Sequence, residues 1–288
     1  MRLLSFAVGD YQSFGAATGD GVVDLGRLLG EQYPTLGSVL RAGELHRAMA
    51  LGASGKATIA LEEIRYLPTV PDPEKIICIG INYGNRNEEY KDGEQAPQYP
   101  SVFMRTPGSL VGHLEPILKP PESDQLDYEG EIVLVIGKAG RRIAAADAWQ
   151  HVAGVSLMNE GSVRDWLRHS KFNVTPGKNF ERSGSLGPWL VTTDELAGNT
   201  ELHLTTHVNG ELRQDDTTAN LIFPFARLVE YLSSFMRLTP GDLIATGTPT
   251  GAGARFTPPK YLRGGDVVEV TVPEIGTLRN TVVDERPG

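Results

Sequence analysis

Short apolar runs, bounded by glycine, proline or charged residues, recur along most of the chain. "KIICIGI", "SVFMR", "GEIVLVIG", "VAGVSLMN", "PWLVTT", "LHLTTHVNG", "DLIATG", "DVVEVTV" and "GTLRNTVV" follow one another in that order. Runs of this length rich in Val, Ile, Leu and Thr predict strands. The dipeptide Asn209-Gly210 predicts a hairpin turn. Helical spacing is rarer. It is clear in "TLGSVLRAGELHRAMALG" and in "FPFARLVEYLSSFMRL", which the turn signal "TPGD" ends. The shorter stretches "AAADAWQHV" and "GSVRDWLRHS" also read as helices. The first 25 residues alternate short apolar runs with Gly- and Asp-containing turns, as a small sheet would. Proline-rich "YLPTVPDPEKI" marks a boundary, giving a small N-terminal α+β domain over 1–70 and a main domain over 71–288. The expected fold class is α+β and predominantly β, not a doubly wound α/β sheet.

Composition narrows the function more than the fold. Hydrophobic content of 40% and charged content of 22% in 288 residues describe a soluble globular chain with enough material for a core. A net charge of −9 argues against nucleic acid or an anionic membrane as partner. No apolar run is long enough to span a bilayer, and the first residues lack the apolar core of a signal peptide, so a cytoplasmic protein is expected. The single cysteine, Cys78, rules out an internal disulfide or a thiolate metal cluster and reads as a buried, inert thiol. The glycine-rich "GTPTGAGARF" lacks the Gly-Lys-Ser/Thr end of a phosphate-binding loop and reads as a turn-rich loop lining a site.

One strand carries unusual chemistry. "LDYEGEIVLVIGK" opens with Asp127, Glu129 and Glu131 before its apolar half. A spacing of two places all three carboxylates on one face of an extended chain. Clustered acids resist burial unless a cation compensates them. A further carboxylate, Glu160, stands where the run "VAGVSLMN" ends. Oxygen ligands without a Cys/His cluster suit Mg2+, Mn2+ or Ca2+ and not zinc.

From about Lys75 to the C-terminus the chain resembles the fumarylacetoacetate hydrolase family. The pieces that carry the resemblance are "GINYGNRNEE", "FMRTPGSLVG", "DYEGEIVLVIGK", "NEGSVRDW", "GKNFERSGSLGPWLV", "VNGELRQDDTTANLIF" and "LTPGDLIATGTPTGAG", in family order. The resemblance implies a mixed β-roll core, a homodimer, and Mg2+ or Mn2+ held by Glu129, Glu131 and Glu160, with Asp127 a neighbour. It implies substrate contact for Lys178 and places Tyr83, Arg105, Gln214 and Thr248 near the substrate. Two positions depart from the family pattern. Glu160 stands where an aspartate is usual, one methylene longer. Arg86 stands where a histidine usually helps Glu89 to activate water, and arginine, always protonated, is no general base. His113 and His169 lie near family site loops and are the candidates to replace that imidazole, against the blander reading of both as loop histidines.

By the same resemblance the substrate is a small keto acid. The expected reaction is hydrolytic C–C cleavage of an acylpyruvate, such as fumarylpyruvate or maleylpyruvate, to pyruvate and a second carboxylic acid, in aromatic catabolism. Glu89 would activate water, and Lys178 and the metal would stabilise the enolate. Arg86 and Arg105 would favour a carboxylate-bearing substrate. The alternatives are a keto-acid decarboxylase or an enol–keto isomerase, which need no nucleophilic water and accommodate Arg86 better. A non-catalytic keto-acid binding protein is the third.

Overall fold

The computed structural model describes residues 1–84, 97–171, 173–196 and 201–286. Among these residues one large mixed sheet dominates. Its main path runs Gly21–Asp24, Tyr11–Thr18, Arg2–Val8, Gly184–Thr192, Val152–Asn159, Gly130–Ile136, Leu243–Ala245, Ile76–Ile79, Val102–Arg105. Most neighbours are antiparallel, but Leu243–Ala245 and Ile76–Ile79 run parallel. A second sheet, in the order Glu211–Thr217, His203–Val208, Val267–Val272, Gly276–Asp284, Ile117–Lys119, packs across it. Helices fill the edges, and the architecture is α+β, predominantly β, with a mixed β-roll core.

The strands expected from the apolar runs are present. Asn209 and Gly210 both have positive φ, +52° and +78°, and close the hairpin between His203–Val208 and Glu211–Thr217. The apolar face of the helix Phe225–Phe235 buries Leu228, Val229 and Leu232 in the core shared with Ile132, Leu134 and Ile244.

Three helix expectations are corrected. "TLGSVLRAGELHRAMALG" forms two helices, Leu36–Ala42 and Leu45–Ser54, because Gly43 takes a left-handed φ of +73° and caps the first. "AAADAWQHV" is a 3-10 helix, Ala145–His151. "GSVRDWLRHS" begins as a short strand, Ser162–Val163, before a 3-10 turn at Asp165–Arg168. Ser162 and Val163 are claimed by pairing with Asp127 and Leu126, a long-range contact that local spacing does not register.

The N-terminal strands extend the large sheet. Arg2 pairs with Val191 and Leu3 with Leu190. Leu3, Phe14 and Leu36 share a core with Val133 and Leu186 of the central strands. No helix among the described residues is long and apolar enough to cross a membrane.

Candidate active site

The acidic start of the central strand is buried. Asp127, Glu129, Glu131 and Glu160 are each at most 3% exposed. Antiparallel pairing of Gly130 with Asn159 carries Glu160 alongside, and the Glu160 amide donates to the Glu129 carbonyl at 2.7 Å. One carboxylate oxygen from each of Glu129, Glu131 and Glu160 lies within 4.8 Å of the others. Oxygens at that spacing can share one hard cation with metal–oxygen bonds of about 2.0–2.6 Å. The all-oxygen, anionic donor set fits Mg2+ or Mn2+.

Asp127 does a different job. Its Oδ1 accepts from the Gly253 amide at 2.8 Å, and its Oδ2 accepts from the Ala254 amide at 3.0 Å and from Arg164 Nε at 2.7 Å. It pins the start of the 3-10 turn Gly253–Arg255 to the acidic strand. Glu131 is held similarly, its Oε2 accepting from the Gly247 amide at 2.8 Å. Gly247 has φ +101°, and a Cβ there would come within 2.7 Å of Asn82 Cβ, so the approach of this loop needs glycine.

Lys178, at the end of the short helix Thr175–Lys178, is 5% exposed. Its ammonium donates to Glu129 Oε2 and Ser162 Oγ, both at 2.6 Å, and to Glu160 Oε2. Arg164 adds a second cation, its Nη2 donating to Glu129 Oε1 at 2.9 Å. Burial pushes the Glu131 carboxyl well above the usual carboxylate range, and the charges of Glu160 and Glu129 push it further. Burial also raises Glu160, against the pull of Lys178 and Arg105. For Lys178, burial favours the neutral amine, but Glu129 and Glu160 outweigh it and raise the ammonium above its ordinary value.

A cavity of about 400 Å3 opens onto this cluster, and Gly80, Phe103, Glu129, Glu160, Arg164 and Lys178 are in its lining. Its remaining walls are largely apolar, including Ile79, Val102 and Leu167. A space of that size is typical of small-molecule sites.

The other expected contacts have protein partners of their own. Arg105 turns away from the cavity and spends its donors on Ser109, Glu160, Gly161 and Ser183. Gln214 braces the strand against the following loop. Its Oε1 accepts from the Gly130 amide at 2.9 Å, and its Nε2 donates to Thr248 Oγ1 at 2.8 Å and to the Pro249 carbonyl at 2.9 Å. Tyr83 is 1% exposed, and burial raises its phenol, with Asp216 and Glu131 adding to the shift. His113 contacts Tyr66 and the Arg279 amide, and His169 lies exposed against Trp166, so neither is among the cavity's lining residues. Arg86 and Glu89 lie outside the described residues.

Sequence reasoning overlooked Arg164 and Ser162. Both stand in "NEGSVRDW", Ser162 two and Arg164 four residues beyond Glu160. Reading that stretch as a helix hid them. In the short strand that actually forms, Ser162 pairs with Asp127, and the next residues carry Arg164 to the acids.

A family model described as fumarylacetoacetate (FAA) hydrolase C-terminal matches residues 75–283. The oxaloacetate tautomerase YisK of Bacillus subtilis (strain 168) is 41% identical over 231 residues, which are 79% of this chain and 76% of that protein. The mitochondrial oxaloacetate tautomerase FAHD2B of Bos taurus is 35% identical over 294 residues, covering 98% of this chain and 92% of its own. A crystal structure of maleylpyruvate hydrolase from Sphingobium sp. SYK-6, in complex with manganese (II) ion and pyruvate, is similar with a TM-score of 0.81. It is 27% identical and covers 99% of this chain and 100% of its own. The seven motifs, the β-roll core and the match across residues 75–283 place this chain in the fumarylacetoacetate hydrolase family.

Proposed function

We propose that the protein is a divalent-metal-dependent enzyme that interconverts the keto and enol forms of a small 2-keto dicarboxylic acid of the oxaloacetate type. One observation carries the reading. A carboxylate cluster and the Lys178 ammonium meet at the floor of one small cavity, and no histidine is among its described lining residues. That equipment suits enolisation, which needs a charge-stabilising cation and a proton acceptor but no activated water. The similarity to oxaloacetate tautomerases of two organisms supports the same choice.

Glu129, Glu131 and Glu160 would hold Mg2+ or Mn2+, which when bound supplies Lewis-acid polarisation of the 2-keto oxygen. The Lys178 ammonium, which lines the cavity, would give up one of its present partners and donate to the oxygen on which enolate charge develops. The proton moves from the carbon beside the ketone to that oxygen, and nothing else is gained or lost. We assign the carbon-side proton transfer to Glu89 from the family resemblance, and a carboxylate-holding role to Arg86 from the chemistry of its guanidinium. A homodimer is part of the same reading.

A second reading is hydrolytic C–C cleavage of an acylpyruvate, supported by the likeness to the maleylpyruvate hydrolase. The two separate in one assay. Metal-stripped protein reloaded with Mn2+ is given enol-oxaloacetate and, separately, acylpyruvates. Decay of the enol absorbance faster than in buffer, with acylpyruvates inert, is the expected result. Metal-dependent release of pyruvate from acylpyruvates with unchanged enol decay would replace the tautomerase by the hydrolase.

A further inference from the structure

Arg105 is fully engaged inside the protein beside the cluster. Its guanidinium is 0% exposed. Nε donates to Ser109 Oγ at 3.0 Å. Nη1 donates to Glu160 Oε1 at 2.6 Å and to the Gly161 carbonyl at 2.7 Å. Nη2 donates to Ser183 Oγ at 3.0 Å and to the Ser109 carbonyl at 3.3 Å. All five N–H groups of an arginine are thereby spent inside the protein. The fit leaves little space. A Cβ on Gly161 would lie 1.8 Å from the Ser183 carbonyl oxygen, and one on Gly184 would lie 3.1 Å from Arg105 Nη2.

The two oxygens of Glu160 therefore face different partners. Oε1 is on Arg105 and Oε2 is on Lys178, within the carboxylate cluster. A glutamate is long enough to span both. An aspartate at 160, one methylene shorter, would have to give up one of them.

We infer that Arg105 is a positioning residue for the metal centre: by taking Oε1 it makes Glu160 a one-oxygen ligand and sets how far its other oxygen reaches into the cluster. The inference rests on the metal-dependent reading above. It assigns the extra methylene of Glu160 a purpose, since glutamate and arginine work as a matched pair. It also removes Arg105 from substrate recognition, because its guanidinium is fully buried and is not among the cavity's lining residues. Residues that orient metal ligands in this way typically change metal affinity about 10- to 100-fold when replaced.

Mn2+ titration of metal-free protein by calorimetry, with bound Mn2+ followed by electron paramagnetic resonance, tests this. Wild type should bind Mn2+ and Glu131→Gln should abolish binding. If wild type binds none, the metal-dependent reading fails, whatever Arg105 does. Given binding, Arg105→Met should weaken it about 10- to 100-fold. Glu160→Asp should weaken it comparably, and Arg105→Met combined with Glu160→Gln should lose no more than Glu160→Gln alone. Arg105→Lys keeps the charge without the fork and should also bind less tightly, so it serves if Arg105→Met does not fold. Arg105→Lys at wild-type affinity, Glu160→Asp at wild-type affinity or better, or additive losses in the double variant would each overturn the inference. A purely structural arginine would lower the melting temperature and leave the Mn2+ affinity of the folded protein unmoved.

Discussion

The N-terminal core and the carboxylate cluster are both buried, and opposite means hold them. Around Leu3, Phe14 and Leu36 there is apolar packing, with one helix start closed by a Thr35–Ser38 capping box. Around Glu129 there are four buried carboxylates and three cations, Lys178, Arg164 and Arg105; direct hydrogen bonds join the cations to Asp127, Glu129 and Glu160, while Glu131 is held by the Gly247 amide. Apolar packing loses stability in proportion to what is removed. A buried charge network behaves differently, because deleting one partner leaves the others desolvated and uncompensated. The first region stabilises the fold, while the second holds a charge distribution that the chemistry needs.

Lys178→Met breaks the second region most sharply. In metal-free protein it leaves Glu129 and Glu160 without the ammonium that bridges them, at a cost of about 3–5 kcal/mol. Added Mn2+ should restore most of that loss. The variant should bind Mn2+ more tightly than wild type, because no ammonium competes for the same oxygens. Turnover should nevertheless fall about 100- to 1,000-fold, since the donor to the developing oxyanion is gone. Melting with and without Mn2+, calorimetry and the enol assay check the three parts. Weaker Mn2+ binding would mean that Lys178 supports the ion and does not compete with it.

Leu36→Ala is the matching lesion in the first region. Leu36 is fully buried at the start of the helix Leu36–Ala42, and its truncation should cost about 2–5 kcal/mol of unfolding free energy. Mn2+ affinity of the folded variant should stay at the wild-type value. A parallel loss of affinity would show that the shared core through Val133 transmits strain to the acids, and the contrast between the regions would shrink.

The contrast also explains what was legible in the chain. Apolar strands such as Ile76–Ile79 and Val152–Asn159 announce themselves, because burial leaves a local signature of consecutive or alternating apolar residues. The convergence of Glu129 and Glu131 is legible for a similar reason, since period two puts them on one face. Glu160 needed the family resemblance. The cations were harder. Arg105 and its partner Glu160 stand 55 residues apart, and Arg164 reaches Asp127 across 37. A single sequence holds no local trace of which distant arginine neutralises which acid. Gln214 and Thr248 were placed near the site, but their hydrogen bonds to each other show them bracing the loop that carries Gly247. The stretch from Ser162 misled because strand pairing with Asp127 overrode its helical spacing.

His113 lies outside both regions, between Tyr66 and the strand Gly276–Asp284, and its predicted effect is the smallest. Its ring meets Tyr66 edge-on, with centroids 4.8 Å apart, and its Nδ1 accepts from the Arg279 amide at 3.1 Å. An accepting Nδ1 requires an unprotonated nitrogen there. Burial, with Arg279 nearby, lowers the imidazole to a pKa of about 4 from the ordinary 6.5. Between those values the unfolded chain binds a proton that the folded one refuses, so stability is fully present above pH 6.5 and drains away as the pH falls to about 4. The full loss is on the order of 3 kcal/mol. His113→Asn offers an acceptor oxygen to the Arg279 amide without a titrating group. Urea unfolding at pH 7, 5.5 and 4 should give a shallower decline for the variant than for wild type, with the curves differing in slope only within that window. Parallel curves would remove His113 from the acid sensitivity of the fold, and would leave the carboxylate cluster as the region that sets it.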